Sequence, residues 1–309
     1  MKRALGLPLA LVALVIGFGL SSEYFLTRDT FIAIANEIPA LLVMAVGMTF
    51  VLVIAGIDLS VGSVLALTGG LSAVAIQNWH WPVPAAMALG LSCGLLCGAL
   101  TGFISVTWRL PSFIVSLGML EIARGSAYLV TDSRTQYIGS TIEALSAPLW
   151  LGISPAFVLA VAIVIAGQVV LTRTVLGRYL IGIGTNEEAM RLAGVDPRPR
   201  KVLVFMLMGL LAALAGLMQV SRLEAADPNA GVGMELQVIA AVVIGGTSLM
   251  GGRGSVLNTF FGVLIVAVLE AGLAQVGASD PAKRVTTGCV IILAVLLDAY
   301  RNRPRRRSV

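Results

Sequence analysis

Long apolar runs follow one another along almost the whole chain. A helix needs about 20 predominantly apolar residues to cross the hydrocarbon core of a bilayer. Ten runs approach this length, and we interpret them as membrane spans at 4–20, 31–55, 62–77, 84–107, 111–130, 154–172, 202–221, 235–249, 254–275 and 283–299. The pattern therefore predicts an all-α fold, a polytopic bundle of about ten transmembrane helices in a single domain over residues 1–309.

Composition supports a membrane protein. Hydrophobic residues make up 58% of the chain and charged residues only 12%, about half of what soluble domains carry. A soluble fold of this composition would expose too much apolar surface to stay dissolved. The first run follows Lys2 and Arg3 as in a signal peptide, but no small-residue cleavage site closes it, so we expect a retained first span.

The positive-inside rule orients the predicted spans. With the N-terminus in the cytoplasm, fifteen Lys and Arg residues fall on the inner side and five on the outer side. An even number of spans then places both termini in the cytoplasm. The arginines of "RNRPRRRSV" belong to this inner charge because they directly follow an apolar run, which disfavours a nucleic-acid partner.

The residues typical of common enzymes and metal sites are sparse. The sequence contains no G-x-x-x-x-G-K-[ST] loop for the phosphates of ATP and no H-E-x-x-H zinc motif. Cys93, Cys97 and Cys289 have no histidine nearby, so we expect small apolar filler rather than metal ligands. No catalytic residue, cofactor site or metal site is predicted in this chain.

Two places interrupt the spans with glycine and polar residues. The third and eighth spans are short, and irregular backbone at membrane depth is tolerated only against protein or a water-filled cavity. These breaks are therefore the predicted translocation path or gate, at Gly56, Asp58, Ser60, Gly245, Gly246, Thr247 and Ser248. Asp58 either caps the third span, with Ser60 as a competing cap, or acts in gating or sugar binding.

Stretches 53–70 and 243–262 share Gly-Ser-Val-Leu after a glycine-rich turn. This similarity is typical of a duplicated transporter half, or it arises by chance in a chain rich in Gly, Val and Leu.

A charged connection, residues 173–201, separates the sixth and seventh spans. Thr185 and Glu188 fit a capping box, Gly194 suits the left-handed residue after a helix, and Pro197 and Pro199 oppose continuation. The pattern predicts a helix of about two turns near 186–193. Such a helix is unstable alone, so it packs either against the protein's own membrane ends or into a separate cytoplasmic protein.

The stretch "GRYLIGIGTNEEAMRLAGV" resembles the cytoplasmic coupling segment in permeases of ATP-driven sugar importers of the ribose type, a family that includes xylose, rhamnose, galactose and autoinducer-2 permeases. Three further stretches resemble the same family, at 45–69, 110–130 and 231–262. "GIDLSVGS" and "VIGGTSLMGGRGS" are specific as a pair, and the resemblance covers about residues 31–300.

The resemblance implies the partners and the location. It implies a multi-pass protein of the bacterial inner membrane, a cytoplasmic ATP-binding-cassette ATPase that binds the ATP, a periplasmic sugar-binding protein, and a second permease copy or a sister permease. The residues expected to couple to the ATPase are Thr185, Asn186, Glu187, Glu188, Ala189, Arg191, Leu192 and Gly194. We expect Glu187 and Arg191 to contact the rim of the ATPase cleft.

An alternative function is a secondary carrier of a small polar solute, driven by a proton or sodium gradient. Such a carrier would need Asp58 or Glu121 on a water-filled path. We expect instead that Glu121 pairs with Arg124, three residues further along the same helix. A neutral sugar needs little charge in its path, so no residue in the sequence identifies the substrate.

Overall fold

The computed structural model describes residues 6–279, 281–283, 285–290 and 292. The helices are α1 (Gly6–Ser21), α2 (Arg28–Glu37), α3 (Pro39–Val53), α4 (Val61–Gln77), α5 (Val83–Thr107), α6 (Ser112–Val130), α7 (Pro155–Arg173), α8 (Val175–Thr185), α9 (Glu187–Leu192), α10 (Pro197–Leu223), α11 (Met234–Ile244) and α12 (Val256–Gln275). Short 3₁₀ turns cover Gly139–Leu145 and Trp150–Gly152. Two-residue strands β1 (Gln136–Tyr137) and β2 (Ala225–Ala226) pair antiparallel. The predicted helical bundle is confirmed.

Five described helices are long and apolar enough to cross a membrane, namely α5, α6, α7, α10 and α12. A sixth crossing forms if α2 and α3 count together as one bent span, while α1, α4 and α11 are shorter apolar helices. The predicted span 283–299 lies largely outside the described residues. Ten spans and two cytoplasmic termini therefore remain predictions.

The predicted second span is two helices that meet at an angle of 50°. Thr27 caps the first of them by accepting a hydrogen bond from the backbone of Thr30. Pro39 opens the second as its first residue. Since proline has no N–H and its ring crowds the preceding turn, the helix cannot run straight through this position.

Helix α3 lies at the centre of the bundle. All of its residues are buried, and it packs against α7, α10, α11 and α12. Helix α4 is nearly as buried and packs against α5, α6 and α10. Helix α10 contacts both groups, so it joins the two halves of the bundle.

Glycine permits the closest helix pairing, between α5 and α10. A Cβ atom added to Gly98 would lie 2.1 Å from the carbonyl oxygen of Phe205, and one added to Gly209 would lie 2.1 Å from the carbonyl oxygen of Gly94. Backbones this close are typical of small-residue interfaces between membrane helices. The high glycine content of the sequence is therefore used in packing.

Replacing Gly98 by alanine should destabilise the bundle by about 1–3 kcal/mol, because α5 and α10 must move apart. The control is Gly118→Ala in α6, where an added Cβ meets nothing within 4 Å. Thermal unfolding of the purified variants measures the difference. Equal melting temperatures for the two variants would contradict this account of the packing.

Candidate functional site

The charged connection between α7 and α10 contains two helices rather than one. Helix α8 begins after Thr174, whose hydroxyl accepts from the backbone of Gly177 at 3.2 Å, and it buries Leu180 and Ile183. Their spacing could have identified this helix from the sequence. Helix α9 is the predicted short helix, with bounds at Glu187 and Leu192 rather than near 186–193.

Both ends of α9 are specified by local hydrogen bonds, but the predicted capping box is wrong. Thr185 is the last residue of α8, and its hydroxyl donates to the carbonyl of Ile181 at 2.7 Å. Asn186 adopts the extended conformation that a cap requires, and its side-chain oxygen accepts from the backbone of Ala189 at 2.9 Å. A helical Thr185 cannot take this position.

The C-terminal end of α9 matches the prediction. Gly194 is left-handed, with φ of +82°. The N–H of Val195 donates to the carbonyl of Met190, and the N–H of Gly194 donates to that of Arg191, which together form a Schellman motif. Pro197 does not simply stop a helix but opens α10, after Asp196 as cap, since proline needs no N–H at the first helical position.

Helix α9 presents most of its surface to the outside. The eight predicted coupling residues are all exposed, and the side chain of Leu192 is 83% exposed. Arg191 lies 3.4 Å from Glu188, and Glu187 pairs with Lys201 of α10. Met190 of α9 is less exposed, because its side chain packs over Gly182 of α8. The helix is thus held by one apolar residue and one ion pair, and the rest remains open for a partner.

A polar cleft of about 370 Å³ separates α9 from the first break, which is the connection 54–60 between α3 and α4. Glu187, Arg191 and Lys201 line one side, and Gly56 and Arg109 belong to the other. The two residues predicted to touch an ATPase therefore also face the protein's own membrane end.

The end of α8 lies against both breaks at a backbone junction. The second break is the connection 245–255 between α11 and α12. The N–H of its Gly252 donates to the carbonyl of Val53 at 2.9 Å, which joins the second break to the end of α3. A Cβ atom on Gly184 would lie 1.8 Å from the Val53 oxygen and 2.6 Å from the Gly252 nitrogen. Only a residue without a side chain fits there, so α8 and the breaks contact each other directly through their backbones.

The first break is fastened by side chains. Asp58 is buried, and its Oδ1 accepts from the backbone and the hydroxyl of Ser60 at 2.9 and 2.6 Å. The backbone N–H groups of Ile57 and Leu59 donate to the hydroxyls of Ser112 and Ser116 on α6. Ser60 does not compete as a cap, because its hydroxyl donates to Asp58 instead of accepting from α4.

The second break has a different construction. Gly245 is packed against the backbone of Thr259, and Gly246 turns the chain with φ of +83°. The hydroxyl of Ser248 accepts from the backbone of Met250. Thr247 is fully buried, and its hydroxyl has no hydrogen-bond partner within the described part of the chain. The two breaks meet through Val53 and Gly252, and the hydrogen bonds of Asp58 remain within the first break.

The predicted pair of Glu121 and Arg124 does not form. The Arg124 guanidinium donates to the carbonyls of Pro228 and Ala230, in the connection before α11. Those carbonyls lie in a loop that folds back over α6, which local spacing along one helix cannot reveal. Arg124 therefore anchors a loop.

Residues 90–94 spell the G-x-S-x-G pattern of a hydrolase nucleophile, "GLSCG". They lie inside α5, and Ser92 is exposed on its surface. A nucleophile elbow requires a sharp turn between a strand and a helix, so this match carries no chemistry. Cys93 and Cys97 are free thiols on the same helix, and no group of potential metal ligands occurs among the described residues.

Comparison with known proteins places the chain in a family. Residues 30–295 match the family model described as a branched-chain amino acid transport system permease component. The chain belongs to this family of permeases. Its members are transport components and not enzymes, and the expected location in the inner membrane is confirmed by this membership together with the membrane-length helices.

Individual relatives cover nearly the whole chain. The ribose import permease RbsC of Escherichia coli K12 is 40% identical over 300 residues, 94% of this chain and 92% of the relative. RbsC of Bacillus subtilis 168 is 39% identical over 96% of this chain and 92% of its own length. The L-arabinose permease AraH of E. coli K12 is 36% identical over 85% of this chain and 80% of its own length. No solved structure matches the chain.

Replacing Gly184 by alanine should open the junction, because the new methyl group would overlap the Val53 carbonyl and force α8 away. The control is Gly125→Ala in α6, where an added Cβ meets nothing within 4 Å. Trypsin should then cut faster after Arg191 in Gly184→Ala than in the control. Identical cleavage rates would show that the junction does not hold α9.

Asp58→Asn should preserve folding and transport, because the amide oxygen can accept both hydrogen bonds from Ser60. Asp58→Ala should destabilise the protein by about 1–3 kcal/mol, because two buried donors lose their acceptor. Folded yield, thermal unfolding and uptake are the measurements. A well-folded Asp58→Asn variant without transport would show that the negative charge itself is required.

Proposed function

We propose that this chain is the transmembrane permease subunit of an ATP-binding-cassette importer for a monosaccharide of the ribose, xylose, rhamnose or galactose type. The three relatives described above are named for ribose or L-arabinose, and each resembles this chain over at least 85% of its length. The sequence has no phosphate-binding loop, so ATP is bound and hydrolysed by a separate cytoplasmic ATPase.

The observation that carries the proposal is the contact of Gly184, Val53 and Gly252. Helix α9 is the coupling helix, and the ATPase grips its exposed residues, including Leu192 and the charged pair of Glu188 and Arg191. A displacement of α9 moves α8, since only Asn186 separates the two helices. Through Gly184 the movement reaches the end of α3 and the glycine-rich second break at the same point.

Two features of the bundle transmit this movement. Helix α3 is enclosed along its whole length, and close-packed interiors shift as units rather than deform. The second break contains several left-handed glycines, including Gly246, Gly251 and Gly252, which can absorb a change in backbone angles. The breaks therefore act as the gate, with the first held by hydrogen bonds and the second able to move.

The remaining partners lie on the other face and beside the chain. A periplasmic sugar-binding protein delivers the sugar to the face opposite α9, where the pairing of β1 with β2 ties two connections together. A second copy of this chain or a sister permease completes the pore within the lipid bilayer. The chain itself holds no cofactor.

An ion-driven carrier is supported less well by the same geometry. Asp58 is engaged with Ser60 and buried, rather than open to a water-filled path. The carrier would transport solute as a purified single chain under a proton or sodium gradient, and this distinguishes the two functions.

The test is uptake of labelled monosaccharides into proteoliposomes that contain the permease, its ATPase and its delivery protein. Uptake should require ATP, and the isolated permease should transport nothing under an ion gradient. The double reversal Glu187→Arg and Arg191→Glu should leave membrane insertion intact and abolish ATP-driven uptake.

The structure supplies a control for the double reversal. Lys201→Gln removes the same internal ion pair of Glu187 but leaves the exposed residues of α9 unchanged, so it should retain most of the uptake. Undiminished uptake by the double variant would overturn the assignment of α9. Uptake by the isolated permease in an ion gradient would favour the carrier.

A further inference from the structure

A cavity of about 290 Å³ lies at the ends of α3 and α10 that are remote from α9. It is bordered by the bend between α2 and α3 and by parts of α10, α11 and α12. Since α3 has 15 residues, its two ends are about 22 Å apart. The cavity therefore opens near the face opposite the coupling helix.

The walls of the cavity carry several long polar side chains: Asn36, Glu37, Gln219, Arg222, Gln237 and Glu270. Glu270 lies within α12, a helix of membrane length. A charged group at membrane depth costs about 2.5–3.5 kcal/mol on insertion scales, and such residues mark substrate or ion pathways. This concentration of polar groups needs a function.

Most of these groups keep hydrogen-bonding capacity. Gln237 Nε2 donates to Glu270 Oε1 at 3.0 Å, which leaves the second carboxylate oxygen available. The side chains of Glu37, Gln219 and Arg222 form no hydrogen bond within the described residues. Asn36 differs, since it bonds the backbones of Gly152 and Ser154 and so shapes the cavity wall.

The remaining chemistry matches a sugar. Carboxylate oxygens accept from hydroxyl groups, whereas the Arg222 guanidinium and the amide nitrogens donate to them. Ile34, Pro39, Met218 and Met234 supply apolar wall to the same cavity, and such walls suit the C–H faces of a sugar ring. A small cavity with a few convergent polar groups is the usual form of a small-molecule site.

We infer that this cavity is a monosaccharide-binding subsite of the permease, in which Glu270, Gln237, Gln219 and Arg222 bind the sugar hydroxyls. The inference rests on the proposed import of a monosaccharide and adds a place where the permease itself recognises its substrate. The sugar occupies the subsite after release from the delivery protein and before it passes the breaks.

The fold connects this subsite to the coupling helix. Helix α3 runs from Pro39 at the cavity to Val53 at the junction with α8. Helix α10 begins at Pro197 beside α9 and reaches the cavity at Arg222. Movement of α9 therefore reaches two walls of the subsite, so its affinity changes as the gate moves.

The experiment measures binding of D-ribose and L-arabinose to the full-length permease in lipid nanodiscs, by saturation-transfer NMR without the ATPase or the delivery protein. Wild type should bind at least one of these sugars. Glu270→Gln and Gln219→Leu should each weaken binding, and Glu270→Gln by about tenfold or more, because a hydroxyl loses a charged partner.

A matched control and the variant Gln219→Leu make the result decisive. Glu121→Gln is the same chemical change on α6, outside the cavity, and should bind like wild type. Gln219→Leu removes a side chain without a hydrogen bond in the described structure, so it tests the subsite even if Glu270→Gln fails to fold. Absence of binding by wild type, or equal binding by wild type and Gln219→Leu, would overturn the subsite.

Competition with sodium ions separates a sugar site from a cation site. Loss of sugar signal on adding NaCl, but not choline chloride, would assign the carboxylates to a cation and overturn the inference. Uptake by the complete transporter is judged separately. A transporter that imports sugar while its permease binds none leaves the proposed function standing and removes only the subsite.

Discussion

The arrangement of this protein depends on one hydrogen bond between two backbones, from Gly252 N–H to the carbonyl of Val53. That bond joins the end of the most buried helix to a glycine-rich break, and the absence of a side chain at Gly184 lets α8 lie against both atoms. Contact between backbones leaves no flexible side chain to absorb a displacement. The short helix α9 is therefore linked to the interior of the bundle through α8 and through contacts between backbones.

The same use of glycine recurs in the bundle. In lipid, helices gain little by burying apolar side chains against each other, and close approach of backbones supplies the packing instead. Gly94, Gly98 and Gly209 bring α5 and α10 together on this principle. The result is a closely packed half around α4, α5 and α10, next to a second half that contains the glycine-rich second break.

The polar side chains fall into two groups, according to whether they already form hydrogen bonds with neighbours within the chain. The side chains of Asp58, Asn36 and Arg124 form hydrogen bonds with neighbours within the chain, and each holds a loop or a break in place. The side chains of Gln219 and Arg222 form no hydrogen bond within the described residues, and they lie at the end of α10 that is remote from α9. Polar side chains thus differ in the hydrogen-bonding capacity that they keep, which residue type alone does not reveal.

The sequence by itself determined the helical membrane class, the approximate positions of the long apolar helices, the short helix before Gly194 and the two breaks, because hydrophobic runs and glycine act locally. It did not predict α8. It did not determine that Asn186 rather than Thr185 caps α9, because Thr185 is the last residue of α8. It also missed the bend at Pro39 and the loop that captures Arg124. Only the tertiary structure could decide that residues 53, 184 and 252 meet, and that polar residues from separate helices surround one cavity, because contacts between distant segments depend on the packing of the whole bundle.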